Sequence, residues 1–392
     1  MSATDRSSQT EPLGVGVLCH PTYGGSGVVA SELSLALAER GHRVHLFSYA
    51  VPPRLIRAAG AVEVHVAQGA PYPLFAAPPH DLAITSAILN VHEAEGLDII
   101  HAHYALPHAM SAVMANHAAG AVRPGPAPRV VTTLHGTDIT LVGRHPSYRP
   151  LLRYALEASD AVTAVSEDLA RRSVEAFYPR QDQTSPPVEV VPNFVSSAEF
   201  HPDAAPEREG PPTAIHVSNF RPVKRVPWLV EAFLEATAGT GARLVLVGDG
   251  PERDPAEAIT RERGATDRVT FLGERDVLPS LLKRADLFLL ASTEESFGLS
   301  ALEAMSCALP VLAPKVGGVP EVVTDGKTGW LTAPDDRPAY LHALKEALFN
   351  PQERLRRGLA AREDAVERFS VDAIVSHYEA IYSRLSATGA KE

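Results

Sequence analysis

The sequence predicts an α/β protein built from two doubly wound, Rossmann-like domains of parallel sheet. The chain has 392 residues, more than one ordinary hydrophobic core accommodates. In both halves, short apolar stretches typical of buried parallel strands alternate with segments of helical periodicity. Residues 195–212, between the halves, are rich in Pro, Glu, Asp and Ala and have no apolar period. This composition is typical of a linker and places the domain boundary near Pro202.

The composition indicates a globular protein of a reducing compartment. Hydrophobic residues make up 45% of the chain and charged residues 21%. The net charge of −11 argues against general binding to nucleic acid or anionic membranes, so an anionic substrate would need a local basic pocket. Cys19 and Cys307 lie far apart in apolar surroundings, which predicts no disulfide. Residues 1–12 are polar and do not resemble a signal peptide. We therefore expect a cytoplasmic protein.

The first half opens with a strand, a glycine-rich turn and a helix. An apolar strand over 13–20 is followed by Gly24-Gly-Ser-Gly27, then by a helical pattern that ends before Gly41. The turn is GGxG rather than the GxGxxG dinucleotide fingerprint. Tight strand-to-helix turns use glycine for backbone reasons alone. The functional interpretation is a close backbone approach, through Gly25 and Ser26, to a diphosphate or to an acceptor.

Polar residues gather at the ends of two later strands of this half. His101 and His103 alternate with apolar residues and therefore point to one side of their strand. Three interpretations stay open: a zinc site, histidines packed at a strand end, and a polar acceptor pocket at the carboxyl edge of the sheet. The next strand ends in further polar residues that could face a ligand, and the following helix carries two arginines: Thr132, His135, Gly136, Asp138, Arg149, Arg153.

The second half contains a basic cluster in a turn between a strand and a helix. Arg221, Lys224 and Arg225 follow the strand predicted over 213–218. Surface basic residues usually contribute only to solubility. Here the cluster lies at the carboxyl end of a strand, where ligand sites of α/β sheets gather, and it could offset the charge of a diphosphate.

Two acidic residues flank a predicted helix start further along. Glu295 follows a short apolar strand, and Glu303 lies about two turns into the helix. Ser296 and Gly298 suit the first turn of this helix. The free N–H groups and the dipole of the helix start, at Ser296–Leu299, favour a phosphate. The non-functional interpretation is that one acid caps the helix and the other lies on the surface. The functional interpretation places the two acids on different parts of one ligand.

These residues carry a family resemblance. Glu295 and Glu303 with Ser-Phe-Gly after the first acid, followed by Gly317-Gly-Val-Pro-Glu321, resemble the E-x7-E signature of family 4 retaining glycosyltransferases. That family has the GT-B fold, in which two Rossmann-like domains face a cleft. The resemblance implies three parts of the chain: an acceptor-binding domain over 1–202, a nucleotide-sugar-binding domain over 203–370, and a helix over 371–392 that crosses back.

The resemblance also implies the donor site. The first acid of the signature lies by the donor sugar, and the second holds the ribose of the nucleotide. Family members commonly show G-R-x-x-x-x-K in the turn that carries the basic cluster; this chain keeps Lys224 but has Ser218-Asn219 in place of Gly-Arg. Either Arg221 or Asn219 could hold the phosphate instead. The implied donor-binding residues are Gly25, Ser26, Asn219, Arg221, Lys224, Glu295, Ser296, Phe297, Gly298, Leu299 and Glu303.

Four motifs make the resemblance more specific. They span 21–30, 101–108, 132–140 and 218–225, and they are similar to those of the family members that join UDP-N-acetylglucosamine to L-malate at the start of bacillithiol biosynthesis. The implied substrates are that sugar nucleotide and that small dicarboxylate. The implied acceptor-binding residues are Tyr104, Thr132, His135 and Arg153.

The implied mechanism is transfer with retention and without a protein nucleophile. Lys224 would hold the leaving diphosphate, His135 would favour the cationic sugar through its main chain, and Glu295 would hold a donor hydroxyl. Double displacement with Glu295 as the nucleophile is the alternative. We expect no metal and no cofactor besides the donor substrate.

Two rival functions follow from the same residues. One is a family 4 transferase with another acceptor, such as a lipid or a polysaccharide end. The other is a non-catalytic protein that binds a sugar nucleotide. The sequence pattern contains no convincing basic amphipathic helix, so we expect no stable association with a membrane. The pattern predicts no nucleic-acid partner and leaves a homo-oligomer open.

Overall fold

The computed structural model describes residues 11–22, 24–56, 60–70, 78–140, 142–178, 187–202, 210–275 and 278–388. Most of the predicted polar tail, Tyr23 of the glycine-rich turn and the middle of the predicted linker (203–209) lie outside the described residues. Contacts divide the chain into two compact units. The first comprises residues up to 165, 169–191 and those from 374 on; the second comprises 166–168 and 192–373.

The first unit contains a seven-stranded parallel sheet in the order β3-β2-β1-β4-β5-β6-β7. This order, in which the chain reverses direction after β3, is that of a doubly wound fold. The strands are β1 (Gly14–Leu18), β2 (Arg43–Ser48), β3 (Glu63–Val66), β4 (Ile99–His103), β5 (Arg129–Leu134), β6 (Ala161–Ala164) and β7 (Val188–Val190). The helices are α1 (Gly25–Glu39), α2 (Pro53–Ile56), α3 (His80–Glu95), α4 (Met110–Val122), α5 (Thr137–Thr140), α6 (Arg149–Glu157) and α7 (Glu167–Phe177).

The first sheet is buried because its strands are apolar on both faces. All five residues of β1 and of β4 are buried, including two histidines of β4. Helices α3 and α4 cover one face with Ile84, Ile88 and Val113. The α/β alternation and the parallel pairing predicted from the apolar periodicity are thus confirmed in this unit.

The last helix, α15 (Val371–Thr388), anchors its side chains in the first unit from residue 374 on. The hydroxyl group of Tyr382 lies 2.6 Å from His101 Nδ1, and that of Tyr378 lies 3.3 Å from Thr133 Oγ1. Glu379 accepts a hydrogen bond of 2.6 Å from Arg40 and lies 3.1 Å from His42 Nε2. Buried tyrosine hydroxyls and an ion pair therefore fix this helix on the first unit.

The second unit contains a six-stranded parallel sheet in the order β10-β9-β8-β11-β12-β13. The strands are β8 (Thr213–Val217), β9 (Arg243–Val247), β10 (Val269–Gly273), β11 (Leu287–Leu289), β12 (Val311–Pro314) and β13 (Gly329–Thr332). The helices are α8 (Val226–Ala236), α9 (Arg253–Glu262), α10 (Leu278–Leu282), α11 (Leu299–Ser306), α12 (Val319–Val322), α13 (Arg337–Phe349) and α14 (Pro351–Arg368). Two doubly wound sheets confirm the predicted fold class.

The second unit begins at residue 192, earlier than the predicted boundary near Pro202. The first part of the predicted linker packs on this unit. The Val195 amide donates to the Phe369 carbonyl at 3.1 Å, and Phe200 is 3% exposed. The Phe200 carbonyl accepts hydrogen bonds from Ser306 and Arg362, each at 2.7 Å. The polar composition of this segment predicted a linker, because contacts between residues so far apart in the chain leave no local sequence pattern.

Both cysteines are buried free thiols. Burial raises the pKa of the Cys19 thiol to about 12, so this group is an unreactive part of the core. Among the described helices, none combines the length and the apolarity needed to cross a bilayer.

Candidate active site

A partly buried ion pair lies at the carboxyl edge of the second sheet. Lys224, in the turn after β8, places its Nζ 2.5 Å from Oε1 of Glu295, which follows β11. The Ser292 hydroxyl donates to the same carboxylate oxygen at 2.9 Å, and the Thr293 amide donates to the Val223 carbonyl at 2.9 Å. Strands β8 and β11 are neighbours in the sheet, so their following turns meet. The structure thus brings together a cation and an acid that are 71 positions apart in sequence.

Gly317 and Gly318 pack against the backbone of the turn that contains Glu295. Gly317 has φ of 50°, and a Cβ there would lie 1.9 Å from the Glu295 carbonyl oxygen. The Gly318 amide donates to that same oxygen at 2.9 Å. Glycine is required at 317 both for its backbone angle and for the close approach. The Gly317-Gly-Val-Pro segment therefore positions the first acid of the signature.

Gly317→Ala should displace Glu295 and lower kcat by at least about tenfold, since small misplacements of a site residue cost that much or more. Gly326→Ala is a matched control, because Gly326 has φ of 74° with no atom within 4 Å of an added Cβ. It should lose only stability, about 1–2 kcal/mol for the left-handed backbone. Steady-state kinetics and thermal midpoints of both variants check this. Equal kcat values in the two variants would refute the positioning role.

Helix α11 starts three residues later than the sequence pattern predicted. Gly298 is its N-cap with φ of 98°, so Ser296 and Gly298 precede the first turn rather than form it. The first N–H groups of a helix have no partner within the helix, and the dipole there favours an anion. Phe297 is 3% exposed and contacts the Phe369 ring at 5.6 Å, which fixes the approach to this helix start.

Glu303, the second acid of the signature, lies in the middle of α11 and is 7% exposed. A carboxylate that buried carries a desolvation cost unless it is hydrogen-bonded. The resemblance assigns this carboxylate to the hydroxyl groups of the ribose. This role stays a prediction.

The end of β8 is built around a buried histidine that the sequence analysis did not single out. His216 Nδ1 donates to the Leu289 carbonyl at 2.8 Å, so Nε2 accepts from the Ser218 hydroxyl at 2.8 Å. Burial lowers the pKa of His216 to about 4, which keeps the ring neutral. Ser218 is thus a structural residue in this chain, in place of the glycine common in the family.

The loop after Ser218 leaves two candidate phosphate ligands at the surface. Asn219 is exposed and Arg221 half-buried. The Gly250 backbone packs so closely that a Cβ there would lie 2.2 Å from the Asn219 carbonyl oxygen. By contrast, Arg225 pairs with Asp335 at 2.6 Å and stacks over Trp228 at 4.5 Å. Arg225 therefore has a structural role, and Arg221 and Asn219 stay the predicted phosphate ligands.

In the first unit, four histidines and a tyrosine gather at the carboxyl ends of β1, β4 and β5. The rings form a chain of contacts: His20–His108 at 4.3 Å, His20–Tyr104 at 5.2 Å, Tyr104–His135 at 5.6 Å and His103–His135 at 5.2 Å. His103 Nδ1 lies 2.9 Å from His135 Nε2. Ligands of open α/β sheets bind at this edge. The structure therefore brings Tyr104 and His135 together, as the acceptor prediction requires.

Tyr104 has an unusual backbone, with φ of 95° and ψ of 132°. Such a conformation costs a non-glycine residue about 1–3 kcal/mol and is found mostly at functional sites. Asp138, fully buried, holds the adjoining turns by accepting backbone hydrogen bonds from Ala105, His135, Gly136 and Ile139. The carboxylate thereby fixes the backbone on which Tyr104 and His135 are carried.

Burial keeps these histidines neutral. It lowers the pKa of His108 and of His135 to about 3, and that of His103 well below its ordinary value. Among the described residues, no hydrogen-bond partner reaches either ring nitrogen of His108 or Nε2 of His103. Buried polar atoms without a partner are rare and indicate a bound water or ligand. His108 also lines a pocket of about 300 Å³, together with His20, His80 and Asp81.

His20 and His108 are the site residues that sequence reasoning missed. His108 ends the motif over 101–108, and His20 directly precedes the motif that begins at 21, but neither was assigned a role. Each follows the end of a buried strand, and that position was the available signal.

Gly25 and Ser26 begin helix α1, after the end of β1. A Cβ at Gly27 would lie 2.5 Å from the His20 carbonyl oxygen, so the glycine-rich turn packs tightly beneath His20.

Two predicted acceptor residues lie apart from this cluster. Thr132 is fully buried and its hydroxyl lies 2.8 Å from that of Ser159, because strand alternation turns it to the opposite face from Thr133. The Arg153 side chain is 56% exposed on α6 and pairs with Glu157 at 2.7 Å. As acceptor-binding residues both stay predictions.

His101 is a structural residue. Its two ring nitrogens contact the hydroxyl groups of Tyr382 and Thr133, at 2.6 and 2.7 Å. This arrangement matches the interpretation of a histidine packed at a strand end. It leaves His101 no nitrogen for a metal shared with His103.

Comparisons with known proteins decide the family. The model described as Glycosyltransferase Family 4 matches residues 23–199, and that described as Glycosyl transferases group 1 matches 197–364. The chain is 40% identical over 377 residues to the N-acetyl-alpha-D-glucosaminyl L-malate synthase of Bacillus anthracis, covering 94% of this chain and 96% of the relative. The chain belongs to glycosyltransferase family 4. It is therefore a glycosyltransferase of the retaining type.

One further relative and one solved structure are similar to this family 4 enzyme. It is 30% identical to the alpha-maltose-1-phosphate synthase of Mycolicibacterium smegmatis, over 93% of this chain and 96% of the relative. The structure of Anabaena Alr3699/HepE in complex with UDP and glucose superposes with a TM-score of 0.75 at 20% identity, covering 95% of this chain and all of that one. The structural similarity shows the shared GT-B fold.

Proposed function

We propose that this family 4 enzyme transfers N-acetylglucosamine from UDP-N-acetylglucosamine to the hydroxyl group of L-malate, the first step of bacillithiol biosynthesis. The observation that carries the proposal is the 40% identity to the malate synthase of Bacillus anthracis over nearly the whole of both chains. The motifs quoted from the N-terminal half point to the same acceptor. The proposed setting is the cytoplasm.

The donor half of the proposal rests on the second unit. Lys224 offers the only side-chain cation within hydrogen-bonding distance of Glu295 among the described residues, and the α11 start offers free N–H groups. Both favour the diphosphate of the donor, with Arg221 or Asn219 as a further ligand. We assign the donor sugar to Glu295 and the ribose to Glu303.

The acceptor half rests on the first unit. A small dicarboxylate needs hydrogen-bond donors for its carboxylate groups and an acceptor for its reacting hydroxyl. His20 and His108 line one pocket, and the rings of Tyr104 and His135 continue the chain of ring contacts from His20, so these side chains offer both kinds of group. Thr132 and Arg153 were predicted to bind malate as well, and substitution of each would test that role.

In the proposed reaction, the bond between the anomeric carbon and the diphosphate oxygen breaks, and the malate hydroxyl oxygen bonds to the same face of that carbon. The proton of the hydroxyl passes to the departing phosphate oxygen, so atoms and charge balance. Lys224 stabilises the leaving diphosphate, and the main chain at His135 stabilises the cationic sugar.

The Oε1 atom of Glu295 accepts hydrogen bonds from Lys224 and Ser292, which fixes the carboxylate beside the proposed donor site. Double displacement with Glu295 as the nucleophile stays the alternative mechanism. No metal enters the proposed steps.

The experiment is UDP release from UDP-N-acetylglucosamine with a panel of acceptors. We expect release that depends on L-malate, with malate's kcat/KM at least about 100-fold above that of any other acceptor, because unpaired site groups penalise a wrong acceptor. Release with a sugar phosphate instead would point to the alternative that the maltose-phosphate relative suggests. Tight donor binding without release under any condition would indicate the non-catalytic binder.

A further inference from the structure

Three ligand-type side chains converge at the edge of the first sheet, and none of them belongs to the candidate active site. His45 Nδ1 lies 3.0 Å from His65 Nε2. One oxygen atom of Glu63 lies 3.7 Å from the former nitrogen, and the other lies 3.7 Å from the latter. The cluster has no assigned role in nucleotide-sugar chemistry.

The strand register creates this cluster. In the parallel pair β2–β3, His45 is paired with Glu63 and Phe47 with His65. Residues two apart in a strand share a face, so all four side chains lie on one side of the sheet. The Phe47 ring is fully buried and stacks on His65 with a centroid distance of 4.8 Å. That contact fixes the His65 ring with its Nε2 atom facing His45.

The other ring nitrogen of His45, Nε2, lies near Glu95 rather than near the cluster. His45 is 1% exposed, and its buried Nε2 atom has no hydrogen-bond partner among the described residues. Glu95, at the end of α3, places Oε2 3.5 Å from this nitrogen and 3.4 Å from Arg43 Nε. A carboxylate in this position favours a proton on Nε2. The lone pair of His45 is then on Nδ1, directed at His65 and Glu63.

We propose that His45 Nδ1, His65 Nε2 and the Glu63 carboxylate bind a zinc ion, with water as the fourth ligand. Tetrahedral zinc with bonds of about 2.0–2.1 Å places its ligand atoms roughly 3.3 Å apart. The observed separations of 3.0 and 3.7 Å lie on either side of that value. Glu95 would orient His45 from behind, as carboxylates commonly do for metal-bound histidine.

The chemistry of the three ligands favours zinc over the hard cations. Two neutral imidazoles and one carboxylate suit zinc and its neighbours in the transition series, whereas magnesium and calcium prefer oxygen ligands. Glu63 has a side chain 63% exposed, which gives an ion a route from solvent. The bland interpretation is a hydrogen bond between two histidines beside a surface acid. It gives Glu63 no part, although both oxygen atoms of Glu63 lie 3.7 Å from a histidine nitrogen.

A bound ion would tie the edge strand β3 to β2. Edge strands have one unpaired side and rely on additional contacts to stay in register. The expected absence of metal concerned the transfer reaction. This site is a separate one, with an effect on stability rather than on turnover.

The test uses the full chain without a histidine tag, stripped with EDTA and dialysed. Zinc chloride is titrated against a chromogenic chelator, and the bound metal is counted by elemental analysis. We expect one zinc ion per chain, together with a higher thermal midpoint. His65→Gln and Glu63→Gln should each weaken zinc binding at least about tenfold. Both side chains are partly exposed, so the variants should fold, which circular dichroism checks.

His342→Gln is the matched control, because His342 is an exposed histidine of α13 in the other unit. It should bind zinc as the unmodified chain does. All three variants should keep transferase activity in EDTA. Absence of zinc binding by the unmodified chain at 10-fold excess over protein, or a loss smaller than tenfold in either cluster variant, would overturn the proposal.

Discussion

Lys224→Met should lower kcat by about 100- to 1,000-fold, the effect of removing one group that stabilises charge in a transition state. Lys224 Nζ is the cation beside Glu295, in a turn where the helix start of α11 supplies the other positive potential. The leaving diphosphate gains charge as its bond to the sugar breaks, so the loss should fall on kcat more than on the donor KM. Steady-state kinetics with varied donor at saturating acceptor measure the two separately.

The control for this prediction is Lys345→Met, which removes an exposed lysine from α13 and should leave both constants unchanged. Lys224→Met also leaves Glu295 without its cation. The double variant with Glu295→Gln separates that penalty from the catalytic loss, since it removes the unpaired charge. If kcat of Lys224→Met stays within threefold of the unmodified enzyme, Lys224 does not hold the leaving group.

We expect acid to unfold the first unit at a higher pH than it unfolds an average domain. Burial lowers the pKa of His101, of His108 and of His135 to about 3, and that of His103 well below its ordinary value. These groups are neutral when folded and take up protons when unfolded. Their contribution to stability is therefore fully present above the unfolded pKa of about 6.5 and is lost as pH falls from there toward 3.

Each such histidine removes up to about 1.4 kcal/mol of unfolding free energy per pH unit in that window. Four together remove about 6 kcal/mol per unit, a large part of the 5–15 kcal/mol typical of a domain. We expect the thermal midpoint to drop steeply between pH 6.5 and pH 5. His108→Gln should make the drop shallower by about one quarter, whereas the exposed His342→Gln should not change it. A midpoint that is flat across this range would contradict the buried neutral cluster.

Apolar periodicity was enough to predict the two sheets, because parallel strands buried on both faces have a strong local signal. The predicted opening strand, glycine turn and helix correspond to β1, the turn after it and α1. The start of α11 was predicted too early because Ser296 suits a first turn. Only the backbone of Gly298, with φ of 98°, shows that the helix begins at Leu299.

The candidate site depended on contacts between distant residues. Lys224 and Glu295 are 71 positions apart, and the order of β8 and β11 in the sheet is what joins them. The family resemblance supplied that pairing; the local pattern did not. His101 was ambiguous in sequence because its partner, Tyr382, lies 281 positions away. Thr132 and Thr133 are one residue apart, yet they face opposite sides of β5, with Thr133 on the side of the histidines.

The most direct test of the proposed function is the product of the malate reaction, identified by mass spectrometry and by NMR of its anomeric proton. We expect one new compound, N-acetylglucosaminyl malate in the α configuration, formed only when enzyme, UDP-N-acetylglucosamine and L-malate are all present. A β-linked product would contradict retention, and the release of free N-acetylglucosamine at the same rate with and without malate would contradict the proposed acceptor.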